Sequence, residues 1–189
     1  MKPEMASHLA IADPSPWVKR WLPLVRSGGR VLDVACGHGR HALLAVRAGH
    51  AVLAVDRDAE ALEHIALSGV EVRTLDLEQG TWPLPSHEQF DAVIVTNYLH
   101  RPLWSSLLGA LREGGVLIYE TFSIGNETVG RPANPDFLLE TGELIDVVRP
   151  ALRVVAYEDG FISSPKPAFV QRICAVRQPA TDGPVRYSL

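Results

Sequence analysis

Val31-Leu32-Asp33-Val34-Ala35-Cys36-Gly37-His38-Gly39-Arg40 reads as a short apolar strand over residues 31–35 that turns through glycines and opens a helix near residue 40. In an open parallel sheet the ligand crevice lies beyond the strand C-termini, and glycines there let backbone approach a bound molecule closely. Gly37 and Gly39 occupy that turn. Two glycines alone also suit an ordinary tight turn. Asp33 carries more information, because a carboxylate inside an apolar strand needs hydrogen-bonding partners to offset its burial. Loop N–H groups or a cationic amine meet that need, whereas a pyrophosphate beside Asp33 meets like charge.

Outward from this stretch the chain alternates between strand and helix patterns. A second apolar run over 51–55 ends at Asp56, and a helical pattern over 59–67 is closed by Gly69. A third strand candidate spans 70–75, before a turn-rich stretch with Gly80, Pro83 and Pro85. The fourth is expected over 90–96 and the fifth over 116–122, with a helix over 104–111 between them. Short apolar strands separated by helices of about ten residues signify parallel βαβ units, since helices must cover both faces of such a sheet. After a helix over 140–148 the pattern changes: runs at 152–158 and 168–176 flank a loop with no helical period. Those two strands are expected to be antiparallel neighbours. The fold expected is an α/β, doubly wound, seven-stranded sheet, mostly parallel with an antiparallel last strand and helices on both faces.

Upstream, a helix is expected from Ser15, with Pro16 at its first position and Trp17, Trp21, Leu22 and Val25 on its apolar face. Residues 1–14 read as a loose lead-in or lid. With 189 residues, 47% of them hydrophobic and 21% charged, one domain with one sizeable core is expected. Its core is placed at about 28–177, with an N-terminal helix or lid over 8–26 and a weakly anchored tail over 178–189. The longest apolar runs are short, as in Ala42-Leu43-Leu44-Ala45-Val46, against the roughly 20 residues a membrane span needs. Met1-Lys2-Pro3-Glu4-Met5 lacks the apolar centre of a secretory signal, so export is not expected. Cys36 and Cys174 have neither a paired framework nor a CxxC spacing and are expected as reduced thiols in a cytoplasmic protein. Eighteen basic and 22 acidic side chains give a formal charge of −4 without a run of like charge, so nucleic acid is not an expected partner. A monomer or homodimer acting on a small molecule fits these features.

Two more carboxylates end strands. Asp56 stands 17 residues beyond Gly39, where an acid accepts hydrogen bonds from both hydroxyls of a ribose. It also suits a helix cap, a role Asp58 can fill equally well. Asp76, in Thr74-Leu75-Asp76-Leu77-Glu78, suits an adenine amino group with Leu75 or Leu77 packed on the ring, or simply a turn closing the strand.

Residues 31–39 resemble the glycine-rich first motif of the class I S-adenosylmethionine-dependent methyltransferases, an acid followed by alternating glycines. Ala35 stands where the motif has its first glycine. Asp56 matches the family's ribose-binding acid, and Asp76 its acid near adenine. Phe90-Asp91-Ala92-Val93-Ile94-Val95-Thr96-Asn97 resembles the fourth motif, and Leu111-Arg112-Glu113-Gly114-Gly115-Val116-Leu117-Ile118 the glycine turn before the fifth strand. The segment 134–144, with Arg40 and the Asp56-Arg57-Asp58 turn, is similar to small tellurite-resistance-like members, some of which methylate thiols, chalcogen oxyanions or other small nucleophiles. The resemblance implies a Rossmann-like fold and S-adenosyl-L-methionine as cofactor. It implies cofactor binding by Asp33, Ala35, Cys36, Gly37, Asp56, Arg57, Asp76, Leu77 and Thr96.

A sulfonium methyl is already a strong electrophile, so alignment and water exclusion are the protein's main tasks. A base is needed only for a nucleophile that carries its proton at pH 7. Asn97, Tyr98, His100 and Glu120, at the fourth and fifth strand ends, are the catalytic candidates. Asn97 and Tyr98 suit positioning, and His100 suits a general base because its ordinary pKa lies near neutrality. Arg131, in the aperiodic stretch 123–136, suits an anionic substrate, and Trp17 suits a pocket cover. His38 and His41 lack the context of a metal motif, so no metal is expected. Rival readings are a dinucleotide-dependent oxidoreductase, since Gly37-His38-Gly39-Arg40-His41-Ala42 fits a loose G-x-G-x-x-A spacing, and a non-catalytic cofactor-binding or interaction protein. Methyl transfer to RNA or protein is a further alternative.

Overall fold

The computed structural model describes residues 13–180 and 185–187. The lead-in over 1–12 and the tail residues 181–184, 188 and 189 lie outside the described residues. Seven strands form one sheet in the order β3-β2-β1-β4-β5-β7-β6: β1 Arg30–Val34, β2 Ala51–Asp56, β3 Glu71–Thr74, β4 Phe90–Thr96, β5 Leu111–Phe122, β6 Arg153–Ile162 and β7 Ala168–Val176. The pairs β1–β2, β2–β3, β1–β4 and β4–β5 are parallel. Strand β7 lies antiparallel between β5 and β6.

Helices α1 Pro16–Trp21, α2 Arg40–Arg47 and α3 Ala59–Ala66 cover one face, while α4 Trp104–Gly109 and α5 Glu143–Val148 cover the other. The division follows strand alternation. Val31, Val52, Ala54, Ala92, Ile94, Val116 and Ile118 pack under α1–α3 with Trp17, Val18, Trp21, Ala42 and Ile65. Leu32, Leu53, Val93, Val95, Leu117 and Tyr119 face α4 and α5 with Leu107, Leu144 and Val148. Strands β1, β2 and β4 are buried on both faces, which is why they read as continuous apolar runs.

Caps match the local chemistry. Ser15 caps α1 by accepting from the N–H groups of Trp17 and Val18, with Pro16 at the first helical position. Asp58 caps α3 by accepting from the N–H of Ala61 at 3.1 Å. The fifth strand begins earlier than the expected residue 116 because its glycine turn is folded into it: Phe90 pairs with Leu111 and the register resumes at Ala92–Val116. A Cβ on Gly115 would stand 2.8 Å from the Arg112 carbonyl oxygen and 3.0 Å from that of Phe90, so only glycine lets the strands close there. Leu111, engaged with β4, is lost from the helix expected over 104–111. In the tail, Tyr187 packs against the α1–α3 side of the core, with the Arg153 guanidinium 5.4 Å from its ring centroid. No helix among the described residues is long and apolar enough to cross a membrane.

Candidate active site

The C-terminal edge of the sheet gathers the chemistry. Beyond β1, Ala35 (φ 51°), Gly37 (φ 52°) and Gly39 (φ 71°) all take left-handed backbone. Ala35 does so despite its Cβ, at the position where the first motif has glycine. The turn is tied to β2: Cys36 donates its N–H to the Val55 carbonyl at 3.1 Å, and Gly37 donates to Asp56 Oδ2 at 2.8 Å. Asp56 Oδ1 accepts the N–H of Asp58 at 2.9 Å. Both oxygens thus hold backbone and keep lone pairs for a ligand. Asp33 is buried, and its Oδ2 accepts the N–H of Ala42 in the first turn of α2 at 2.9 Å. Burial pushes its pKa up to about 7.

A cavity of about 250 Å³ opens beside this turn. Asp56 and Asp76 line it with Glu78 and Arg57, Leu75 and Leu77 supply apolar wall, and Ala35 and Tyr98 close it. Three carboxylates against one guanidinium make the cavity suited to a ligand rich in hydrogen-bond donors. The Tyr98 hydroxyl is buried without a partner. Burial, with Glu78 and Asp76 adding like charge, pushes its pKa up to about 12, so it remains a proton donor. Of the four residues expected at an acceptor site, Tyr98 therefore stands in the same cavity as Asp56 and Asp76.

At the end of β4 the chain turns through Asn97 (φ 54°), which is exposed and donates its N–H to the Glu120 carbonyl at 3.0 Å. Tyr119 Oη donates to the Tyr98 carbonyl at 2.7 Å, fixing the backbone beyond the turn. His100 is half-buried, and its carbonyl accepts the N–H of Leu103 at 3.0 Å. Glu120 is buried opposite Arg172 of β7, with Arg172 Nε 3.0 Å from Glu120 Oε2 but off the line of a hydrogen bond. Arg172 also reaches Glu158 at 3.3 Å, so Glu120 is part of a charge ladder across β5, β7 and β6. Trp17 is 3% exposed; its Nε1 donates to the Ile173 carbonyl at 3.2 Å and its ring packs edge-on to Trp21. It is seated in the core under α1. Arg131 is exposed in the loop after β5.

Two further residues shape this edge through partners distant in sequence. Arg101 binds Glu143 through two nitrogens and donates to the carbonyls of Asp136 and Leu138, clamping the loop after β5 to the turn after β4. His41, 1% exposed, accepts the Ser15 N–H on Nε2 at 3.1 Å and places Nδ1 3.2 Å from Thr96 Oγ. Both ring nitrogens are engaged, which removes His41 as a metal ligand. Its place on the apolar face of α2 with Ala42 and Ala45 marks it as buried; its partners, 26 and 55 residues distant, carry no sequence signal.

Residues 31–115 match a family model described as a methyltransferase domain. No curated protein sequence matches the chain. Among solved structures, the chain is similar to TehB from Haemophilus influenzae (TM-score 0.70, 15% identity, 85% of this chain and 61% of that one). It is also similar to an S-adenosylmethionine-dependent methyltransferase from Mesorhizobium loti (0.67, 18%, 86% and 96%). A TehB-like S-adenosylmethionine-dependent methyltransferase from Corynebacterium glutamicum aligns with a TM-score of 0.63 at 17% identity, over 86% of this chain and 88% of that one. The chain spans about three fifths of the TehB chain. At these identities the structural likeness carries the fold. The matched residues run from β1 into the start of β5, and the seven-stranded sheet with its antiparallel β7 is the fold this chain shares with those solved methyltransferases.

Proposed function

We propose that this protein transfers the methyl group of S-adenosylmethionine to a small-molecule nucleophile by direct in-line displacement. The observation that carries the reading is the donor-seeking cavity at the strand ends, where Asp56 and Asp76 face one space beside the glycine turn. Its residues fit the nucleoside: Asp56 for the ribose hydroxyls, Asp76 for the adenine amine, Leu75 and Leu77 for the ring, and the orphaned Tyr98 hydroxyl as a further donor. Bound S-adenosylmethionine supplies a methyl group on a positively charged sulfur. The chain's own part is to hold that end over β1 and β4, exclude water and align the acceptor. The acceptor is placed at the turn after β4 and the loop after β5, near Asn97, His100 and Arg131. Glu120, held by Arg172, serves there as a structural charge. The resemblance of residues 134–144 to tellurite-resistance-like methyltransferases, some of which act on thiols or chalcogen oxyanions, suggests small polarisable nucleophiles. The buried free thiols Cys36 and Cys174 accord with a reducing compartment, the cytoplasm. Incubating the protein with methyl-labelled S-adenosylmethionine and thiols, selenite, tellurite, RNA or protein tests the acceptor class. Label is expected in the small molecules; label in RNA or protein alone would contradict it.

Asp33 gives this reading a pH signature. Its pKa in the folded, ligand-free protein is about 7, above the unfolded value of 3.8. Its contribution to stability is therefore present in full below pH 3.8 and is lost as pH rises towards 7. A cationic ligand group nearby favours the ionised form. S-adenosylhomocysteine binding is therefore expected to release about half a proton or more at pH 6.5, falling as pH rises towards 8. Titration calorimetry in buffers of different ionisation enthalpy measures this, and Asp33→Asn is expected to abolish the pH-dependent release.

A further inference from the structure

The strand ends along the sheet edge run β3, β2, β1, β4, β5, and the cavity covers the first three, from Asp76 through Asp56 to Ala35. A ligand whose nucleoside fills that cavity, as in the function proposed above, extends along the edge past β1 towards β4. Thr96 follows the Val34–Val95 pair and so stands level with Ala35, with Glu120 paired on its other side.

The hydrogen bonds at Thr96 have a determined direction. The Ser15 N–H can only donate, and it donates to His41 Nε2 at 3.1 Å. Nε2 therefore carries the lone pair, and the neutral ring carries its proton on Nδ1. Nδ1 lies 3.2 Å from Thr96 Oγ, so the ring donates and the hydroxyl accepts. The hydroxyl's own hydrogen is left to point elsewhere, from a half-buried residue at the strand end. The ring is buried, which lowers its pKa to about 3 with help from Arg40, and a protonated ring would lose the bond to Ser15. Arg40 also donates to the Asp13 carbonyl at 3.1 Å, a second tie between the start of α1 and the start of α2.

We propose that His41 is a positioning residue that sets the Thr96 hydroxyl as a hydrogen-bond donor to the carboxylate at the amino-acid end of the bound cofactor. The choice of carboxylate follows from the charges. Asp33, on the same face of β1, suits the ammonium of that end, and a donor one strand further suits its anionic partner. The inference rests on the cofactor reading above and adds a role for the buried histidine.

Two ligands separate this role from a merely structural one: S-adenosylhomocysteine, and 5′-methylthioadenosine, which has the same nucleoside and thioether without the amino-acid end. Full-length Thr96→Val and His41→Phe are expected to bind S-adenosylhomocysteine about 10- to 100-fold more weakly, and to bind methylthioadenosine within about twofold of the unaltered protein. Thr96→Ser is expected to retain affinity for both, and the double variant Thr96→Val with His41→Phe to lose no more than Thr96→Val alone, because the two act through one bond. Equal losses for both ligands, or an unchanged affinity for S-adenosylhomocysteine, would overturn the proposal. Should His41→Phe fail to fold, Thr96→Val decides alone, since it removes only the hydroxyl. If the unaltered protein binds neither ligand, the cofactor reading itself fails, an outcome distinct from unaltered binding in the variants.

Discussion

Replacing Asp56 with alanine is expected to weaken S-adenosylhomocysteine binding by about 2–4 kcal/mol, roughly 30- to 1,000-fold. The size follows from how much one carboxylate does. Its Oδ2 holds the Gly37 N–H and its Oδ1 the Asp58 N–H, so the side chain shapes the glycine turn as well as facing the cavity. Removal leaves the ribose hydroxyls without their acceptors and frees the turn that lies against the ligand. Hydrogen bonds to a charged group are worth about 1.5–3 kcal/mol each, and two are lost to the ligand with some recovery from water. The fold is expected to persist, because Asp56 is half-buried at a strand end and not in the core. Isothermal titration measures the affinity and thermal melting checks the fold; a dissociation constant within twofold of the unaltered protein would place the ribose elsewhere.

The second large effect is on stability. Gly39→Ala is expected to destabilise the protein by about 2–4 kcal/mol, by two additive causes. The left-handed backbone at φ 71° strains any residue with a Cβ, and that Cβ would stand 2.7 Å from two carbons of the buried Ile65 side chain. Gly49→Ala provides the comparison: φ is 87°, but nothing lies within 4 Å of the added carbon, so only the conformational cost of about 1–2 kcal/mol applies. Urea denaturation of both variants separates the terms. Equal losses would mean that α3 shifts away from the turn at no cost.

Much of this architecture was legible because it depends on local patterns. Residues 90–96 form β4 at the expected bounds, since the strand is apolar from Ala92 to Val95 and buried on both faces. Asp58 as a cap and Ser15–Pro16 as a helix start are local chemistry and read directly. The antiparallel β7 followed from a loop too poor in helical pattern for a crossover. What escaped was long-range. Glu120 looked like a carboxylate free for substrate, yet its partner Arg172 lies on a strand whose register no local signal sets. Trp17 looked able to cover a pocket, but the depth at which α1 sits buries it and engages its indole N–H. Proximity in sequence groups Tyr98 with the acceptor residues; the left-handed Asn97 redirects the chain, and Tyr98 lines the cavity with Asp76. In the sequence His41 stands out only by its spacing from His38, because both of its partners come from other elements.

The cavity at the strand ends is the centre of the functional reading, and its ligand can be measured without knowing the methyl acceptor. Calorimetric titration of the full chain with S-adenosylhomocysteine, and separately with NAD, tests it most directly. Saturable one-site binding of S-adenosylhomocysteine, at least about 100-fold tighter than any binding of NAD, is the expected result, a difference of about 2.7 kcal/mol. Tight binding of NAD with no heat from S-adenosylhomocysteine would contradict it.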